Sequence, residues 1–375
     1  MDMKVNSDTA VLAAAANSAA GVPGQHRLVK LLRGCAVILV CSLCGWLASE
    51  LHVPLAWLLG SLLASTVMAL LNLRVEIEGV RPYVLIFLGL GLGEAFDAAV
   101  LQMLLGWLPM IVVCAIFSLL MGIVAGRVFT RLAGLDPKTG FFCGIPGGVI
   151  LMVIHAREAG LSEQKVLVAQ TIRLIMVVLS YPLLVTWLAA GESDPLTPVL
   201  SEASALAGFS SDLLLWWLAG IGAAMLGKKI GIPNPWMLAP CVLAAAYTAN
   251  GLGIDPVPHI LIIAAQLVLG ITLGSKMTPE FMKGARKLML ASVLSTLFLS
   301  LVLMAAAYGV AALSGLPLSA VLLGMAPGGM PEMSVAAHAL GISVPLVLGF
   351  HFVRVVFCNL LLEPFWRCIQ KLRLL

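Results

Sequence analysis

The chain has 375 residues, 61% of them hydrophobic and 11% charged, with a mean hydropathy of +1.06 and a formal net charge of +4. A soluble domain carries about 25% charged residues, so too few polar side chains exist here to coat a water-facing surface. The small positive balance fits basic loops between membrane spans and implies no nucleic-acid partner.

In chain order, residues 1–29 are small and polar with an alanine run at Ala13 to Ala16, and read as a mobile cytoplasmic extension. Apolar runs then predict helices near 34–49, 54–72, 82–103, 107–130, 139–156 and 164–190, a first membrane unit over 30–190. An acidic connector, 191–212, leads to a second unit over 213–366. Its helices are predicted near 213–228, 233–251, 257–276, 287–313, 319–339 and 342–363, ahead of a basic tail at 367–375. Trp107 to Gly126, Pro235 to Ile254 and Leu288 to Leu313 hold no charge, and a bilayer crossing needs roughly 20 such residues. Cys41 and Cys44 form a C-x-x-C inside a span with no second pair to close a metal site, so they read as packing.

The second unit is a copy of the first. Adding 181 carries Leu88, Gly89, Leu92 and Gly93 onto Leu269, Gly270, Leu273 and Gly274, and Pro146-Gly147-Gly148 onto Pro327-Gly328-Gly329. Arg173 falls on Arg354, and 12 of the 42 positions from Gly134 to Ile175 are identical to their counterparts. Upstream the offset is 179, pairing Pro54 and Trp57 with Pro233 and Trp236.

Lys and Arg of short loops are retained on the cytoplasmic side, which orients the copies. Arg27, Lys30 and Arg33, then Arg74 and Arg81, then Arg127, Arg131 and Lys138 all fall inside if each pair is separated by two crossings. The connector holds Glu192, Asp194, Glu202 and Asp212 and no Lys or Arg, so it is external, while Lys228, Lys229, Lys276, Lys283, Arg286, Lys287, Arg367, Lys371 and Arg373 are internal. Each copy then crosses five times with one segment broken or re-entrant. The expected fold is an all-α polytopic membrane protein of two inverted repeats.

The break is expected at the Pro-Gly-Gly triplets: proline removes a donor and the glycines add freedom that a continuous helix does not need. Non-helical backbone at membrane depth survives only inside protein or beside water, and inverted repeats with interrupted helices mark many secondary transporters. Ionisable residues inside spans are candidates for function. Arg173 and Arg354 are equivalent, each following a polar residue by three, Gln170 and His351. With Pro146, Gly147, Gly148, Pro327, Gly328 and Gly329, these four form the expected substrate site. Two helix starts and two arginines suit an anion. Glu332, His155 and His338, near the breaks in sequence, are candidates for proton or ion coupling, with Glu332 alternatively the arginines' partner. Glu94 and Asp97 read as helix-end residues, and Gly89 and Gly93 as small-xxx-small packing.

On VPLAWLLG beside IPNPWMLA, GLGLGEAF beside GITLGSKM, CGIPGGVILM beside GMAPGGMPEM, and the arginines in QTIRL and HFVRV, the chain resembles the bacterial membrane family called AbrB. Members of that family are described variously as transporters, ammonia monooxygenases and regulators of gene expression. More distantly the chain resembles carriers with five-plus-five inverted repeats, which implies alternating access. The expectation is a secondary transporter of a small organic solute, an anion, driven by a proton or sodium gradient, in the bacterial inner membrane with both termini cytoplasmic. It carries no cofactor and is not an enzyme, and a homodimer is one assembly open to it. The alternatives are a membrane regulator of gene expression and, last, a metal-dependent membrane oxidase, since no close pair of His ligands is present.

Overall fold

A computed structural model describes residues 23–73, 77, 79–188, 211–252, 255–282 and 286–371, and holds only helices among them. The first copy gives α1 (Pro23–Glu50), α2 (Ala56–Leu70), α3 (Arg81–Gly93), α4 (Ala98–Ala133), α5 (Pro137–Gly144), α6 (Val149–Glu158) and α7 (Glu163–Leu188). The second gives α8 (Ser211–Lys229), α9 (Pro235–Ala249), α10 (His259–Gly274), the one-turn α11 (Pro279–Met282), α12 (Arg286–Ser314), α13 (Leu318–Met325), α14 (Met330–Ala339) and α15 (Val344–Lys371). Apart from α11, every element has its counterpart in the other copy. Segments of α1, α4, α7, α12 and α15 are long and apolar enough to cross a bilayer, and α2, α3, α9 and α10 are shorter apolar helices.

Local chemistry sets the boundaries. Asp97 accepts a hydrogen bond from Val100 N at 2.7 Å and so starts α4 well before residue 107, where the apolar pattern alone placed it, leaving α3 only 13 residues long. The helix α1 begins at Pro23, inside the stretch read as a mobile extension. Residues 1–22, most of the acidic connector (191–210) and the last four residues lie outside the described residues.

Two bundles result. The first contains α1–α3 and α8–α10, where α2 packs on α10 and α3 on α9. These seams are glycine seams: Gly270 lies against Leu58 to Leu62 and Gly274 against Leu62 to Thr66, while Gly89 lies against Met237 and Pro240 and Gly93 against Cys241 to Ala245. A Cβ at any of the four would strike the facing helix, which is the close approach that small residues permit between membrane helices. Tyr83 and Phe87 of α3 add ring contacts to Trp217, and Tyr83 a further one to Trp236. The second bundle contains α4–α7 and α12–α15, centred on the α4–α12 contact, where Ser295 Oγ donates to Ala125 O at 2.8 Å.

The contact register fixes the direction of each copy. Numbers rise together along α2 and α10 and along α3 and α9, so each of these pairs is parallel. The end of α3 meets the beginning of α10, where Glu94 accepts from Val257 N at 3.2 Å, so those two run oppositely. Hence α9 runs against α2, although the two are the same element of the repeat. The copies are inverted.

Candidate functional site

The chain around each Pro-Gly-Gly is built as a hairpin. Asp136 caps α5, accepting from Thr139 N and from the Thr139 hydroxyl, both at 2.8 Å, and Pro137 occupies the first turn, where its missing N–H costs nothing. Burial pushes the Asp136 carboxyl up, but the bonds from Thr139 and its own backbone, with the Lys165 charge, outweigh it and hold the group below its ordinary value. Eight residues later the helix stops. Pro146 forces Ile145 out of the helical region to φ −69°, ψ 130°, and Pro327 does the same to Ala326 at φ −52°, ψ 136°. Gly148 then turns at φ +91°, a conformation that favours glycine, before α6 begins.

The segment returns to the face it left. Lys138, at the start of α5, donates to Ala159 O, just past the end of α6, at 3.3 Å. An Arg157–Glu163 pair at 2.6 and 2.7 Å spans the turn into α7, where Gly160 sits at φ +73° and its counterpart Gly341 at φ +63°. The interruption is therefore re-entrant rather than a broken crossing, which leaves α1–α4 and α7 or their equivalents as the segments that continue through each copy.

Each hairpin tip reaches the last helix of the other copy. A Cβ on Gly147 would strike Cys358 of α15, and one on Gly328 would press on Val177 of α7. Val177 and Cys358 are themselves equivalent positions, so the two contacts are one contact repeated by the internal two-fold.

The arginines act on the first arm of each hairpin. Arg173 Nη1 donates to Ile145 O at 3.0 Å and Nη2 to Gln170 Oε1 at 2.6 Å, while Gln170 Nε2 donates to Phe142 O at 2.7 Å and Ile145 O at 3.1 Å. In the second copy Arg354 donates to Ala326 O at 2.6 Å and Gly328 O at 2.9 Å, with His351 Nδ1 at 2.8 Å. His351 Nε2 lies 3.0 Å from Leu323 O. A carbonyl only accepts, so Nε2 carries the proton, Nδ1 accepts from the arginine, and the ring is the neutral tautomer. Gln170 and His351 thus present the same pattern: one donor to the helix end, one acceptor to the guanidinium. The last carbonyls of a helix lack intrahelical partners and form its negative pole, and each arginine satisfies them.

Both arginines hold the ends of α5 and α13, because free carbonyls, not free N–H groups, attract a cation. Arg173 and Arg354 are buried, as are Gln170 and His351. Neither arginine pairs with an acid among the described residues. The guanidinium Nε of each lacks a hydrogen-bond partner, as do Thr171 Oγ1 and Ser334 Oγ. Such buried orphans are uncommon, and these lie on α7, α14 and α15. Arg173 also lines a cavity of about 10 Å³ with Cys143, Ser292, Ser295 and Thr296, room for a single water molecule.

Glu332 is 1% exposed and sits at the start of α14, beside the second tip. Its partner is not either arginine of the site but Arg81, whose Nη2 lies 3.7 Å from Oε1. Arg81 had read as a loop cation; it opens α3, and only its distance to the hairpin in space reveals the pairing. His155 and His338 do not join the tips. Each lies in the last turn of its second arm, about 10 to 14 Å of helix from the break at 1.5 Å per residue. His155 contacts Glu158 at 3.2 Å, and His338 has His259 nearby. Glu94 and Asp97 are helix-end residues as expected, the one accepting from Val257 N and the other capping α4.

Two inverted copies, each with a re-entrant hairpin held by a buried arginine, and long apolar helices around them define a polytopic α-helical membrane protein of the interrupted-helix class. The family model described as "Transition state regulatory protein AbrB" matches residues 57–370, and the chain belongs to that family. It is similar to the uncharacterized protein YhjN of Bacillus subtilis (strain 168), at 28% identity over 367 residues covering 91% of this chain and 94% of that one. No solved structure matches it.

Proposed function

We propose that this protein is a secondary transporter that moves a small organic anion across the bacterial cytoplasmic membrane by alternating access, coupled to a proton or sodium gradient. The observation that carries this reading is the centre between α7 and α15, where two re-entrant tips converge on two buried arginines without acid partners. Arg81 is matched by Glu332, which leaves Arg173 and Arg354 as two positive charges at membrane depth. An unpaired buried charge costs several kcal/mol, and an anionic solute bound between the tips offsets it. In this reading Gly147, Gly148, Gly328 and Gly329 supply backbone close to the solute, Gln170 and His351 position the arginines, and Glu332 takes part in ion coupling. His155 and His338 have no part in the site. The regulatory word in the family description is met by movement of a signalling solute, and the basic loops support a cytoplasmic position for both termini.

The test is a thermal-shift screen of detergent-purified protein against organic acids, with and without sodium. A ligand at 100 times its Kd stabilises the folded state by about 2.7 kcal/mol. We expect one class of carboxylate to raise the melting temperature, and Arg354→Gln to lose that response. Stabilisation by neutral or cationic solutes alone would overturn the anion assignment.

A further inference from the structure

The internal two-fold relates many of the contacts but not all of them. Equivalent pairs include α1–α2 with α8–α9, α4–α5 with α12–α13, α5–α7 with α13–α15, α6–α7 with α14–α15, and α4–α15 with α12–α7. In the second bundle α7 packs on α13 more closely than α15 does on α5. Between the bundles the contacts α3–α14, α4–α9 and α7–α10 are small, and their equivalents under exchange of the copies, α10–α6, α12–α2 and α15–α3, are weaker still. The second hairpin reaches α3 through the Arg81–Glu332 ion pair, and the first hairpin has no such tie to α10 among the described residues.

Two inverted copies of one sequence can adopt either of two arrangements, with the roles of the copies exchanged. We infer that this structure is one of two end states. In the other, the first hairpin docks through α6 on α10 while the second releases α3, and the Arg81–Glu332 ion pair is the latch that makes the two states unequal. The inference rests on the transporter reading for its purpose but not for its geometry.

The latch is specific to one state because neither charge is inherited from the repeat. The counterpart of Glu332 is Leu151, and that of Arg81 is Ile262. Docking of the first hairpin therefore brings leucine to isoleucine where docking of the second brings carboxylate to guanidinium. Glu332 is buried on the hairpin, and Arg81 is 23% exposed on the facing bundle. Separating them leaves a buried carboxylate without its cation, which is costly in hydrocarbon. Whatever neutralises Glu332 removes that cost and frees the hairpin, which gives the acid its place in coupling: it sets the balance between states.

The experiment is a cross-link across the contact that this structure lacks. Leu151→Cys/Ile262→Cys is introduced into the full chain in liposomes, with Arg81 and Glu332 intact, oxidised, and read as the 151–262 cross-linked peptide by mass spectrometry. A detectable cross-link is expected, and Glu332→Gln in the same background should raise its yield on the order of tenfold. Arg81→Gln removes the same pair from the other side and should act alike, which separates loss of the latch from a folding defect at either position. No 151–262 peptide in the unaltered background overturns the second state, and an equal yield with and without the ion pair overturns the latch. Because the readout is geometry rather than transport, a failed solute screen leaves this result standing, and the reverse also holds.

Discussion

A guanidinium held against the end of a half-helix is the recurring residue-scale device of this molecule. The positions that accompany it, Gln170 and His351, differ in chemistry but share one donor and one acceptor. Gln170→His and His351→Gln should therefore each change stability by less than about 1 kcal/mol, within the range of a single exchanged hydrogen bond. Arg173→Ala and Arg354→Ala strand buried carbonyls and should each lower it by about 2–4 kcal/mol, read as a fall in the detergent melting temperature. If the alanine variants melt like the parent, the arginines do not clamp the hairpins. The equivalence of Arg173 and Arg354 was legible from the repeat. Their partners were not, because a sequence shows spacing along a helix but not which helix end lies opposite.

At the scale of elements, the hairpin depends on how its first arm begins and where it turns. Asp136→Ala removes the cap of α5 and should cost about 1 kcal/mol. The Asp136 carboxyl is held below its ordinary 3.8, so its contribution is complete above that value and is lost as pH falls through the folded one. The stability difference between parent and variant should accordingly shrink only in strong acid; a difference that shrinks near pH 7 would assign the effect to another group. Gly148→Ala puts a side chain at φ +91° and should cost about 1–3 kcal/mol, whereas Gly329→Ala, at φ −82°, carries no such backbone strain. The triplet announced the break. Whether it was re-entrant depended on Lys138 reaching Ala159 O across the closed hairpin, a contact between residues that nothing in the sequence pairs.

For the molecule as a whole, inversion places the α1–α2 and α8–α9 turns on opposite faces. Single cysteines at Leu51 and Ile230, both well exposed (76% and 65%), should be labelled by a membrane-impermeant maleimide from opposite sides, Ile230 from the cytoplasm. Labelling of both from one side would contradict the inverted arrangement. The two copies differ across the bundles in the Arg81–Glu332 pair, whose repeat counterparts are Ile262 and Leu151.

The class, the duplication, the opposed direction of the copies and the place of the interruptions could be read from the chain alone. Each of these follows from patterns that run along the chain: uncharged length against bilayer thickness, identity at a fixed offset, charge in loops, and proline with glycine where helix should be. It took the packed molecule to show that α3 ends at Gly93, which helix ends the arginines hold, that Glu332 belongs to Arg81, and that the histidines stand apart from the tips. Those outcomes turn on which surfaces of distant helices meet, and Coulomb and hydrogen-bond partners at membrane depth are chosen by distance in space, where dispersed charges have no water to satisfy them instead.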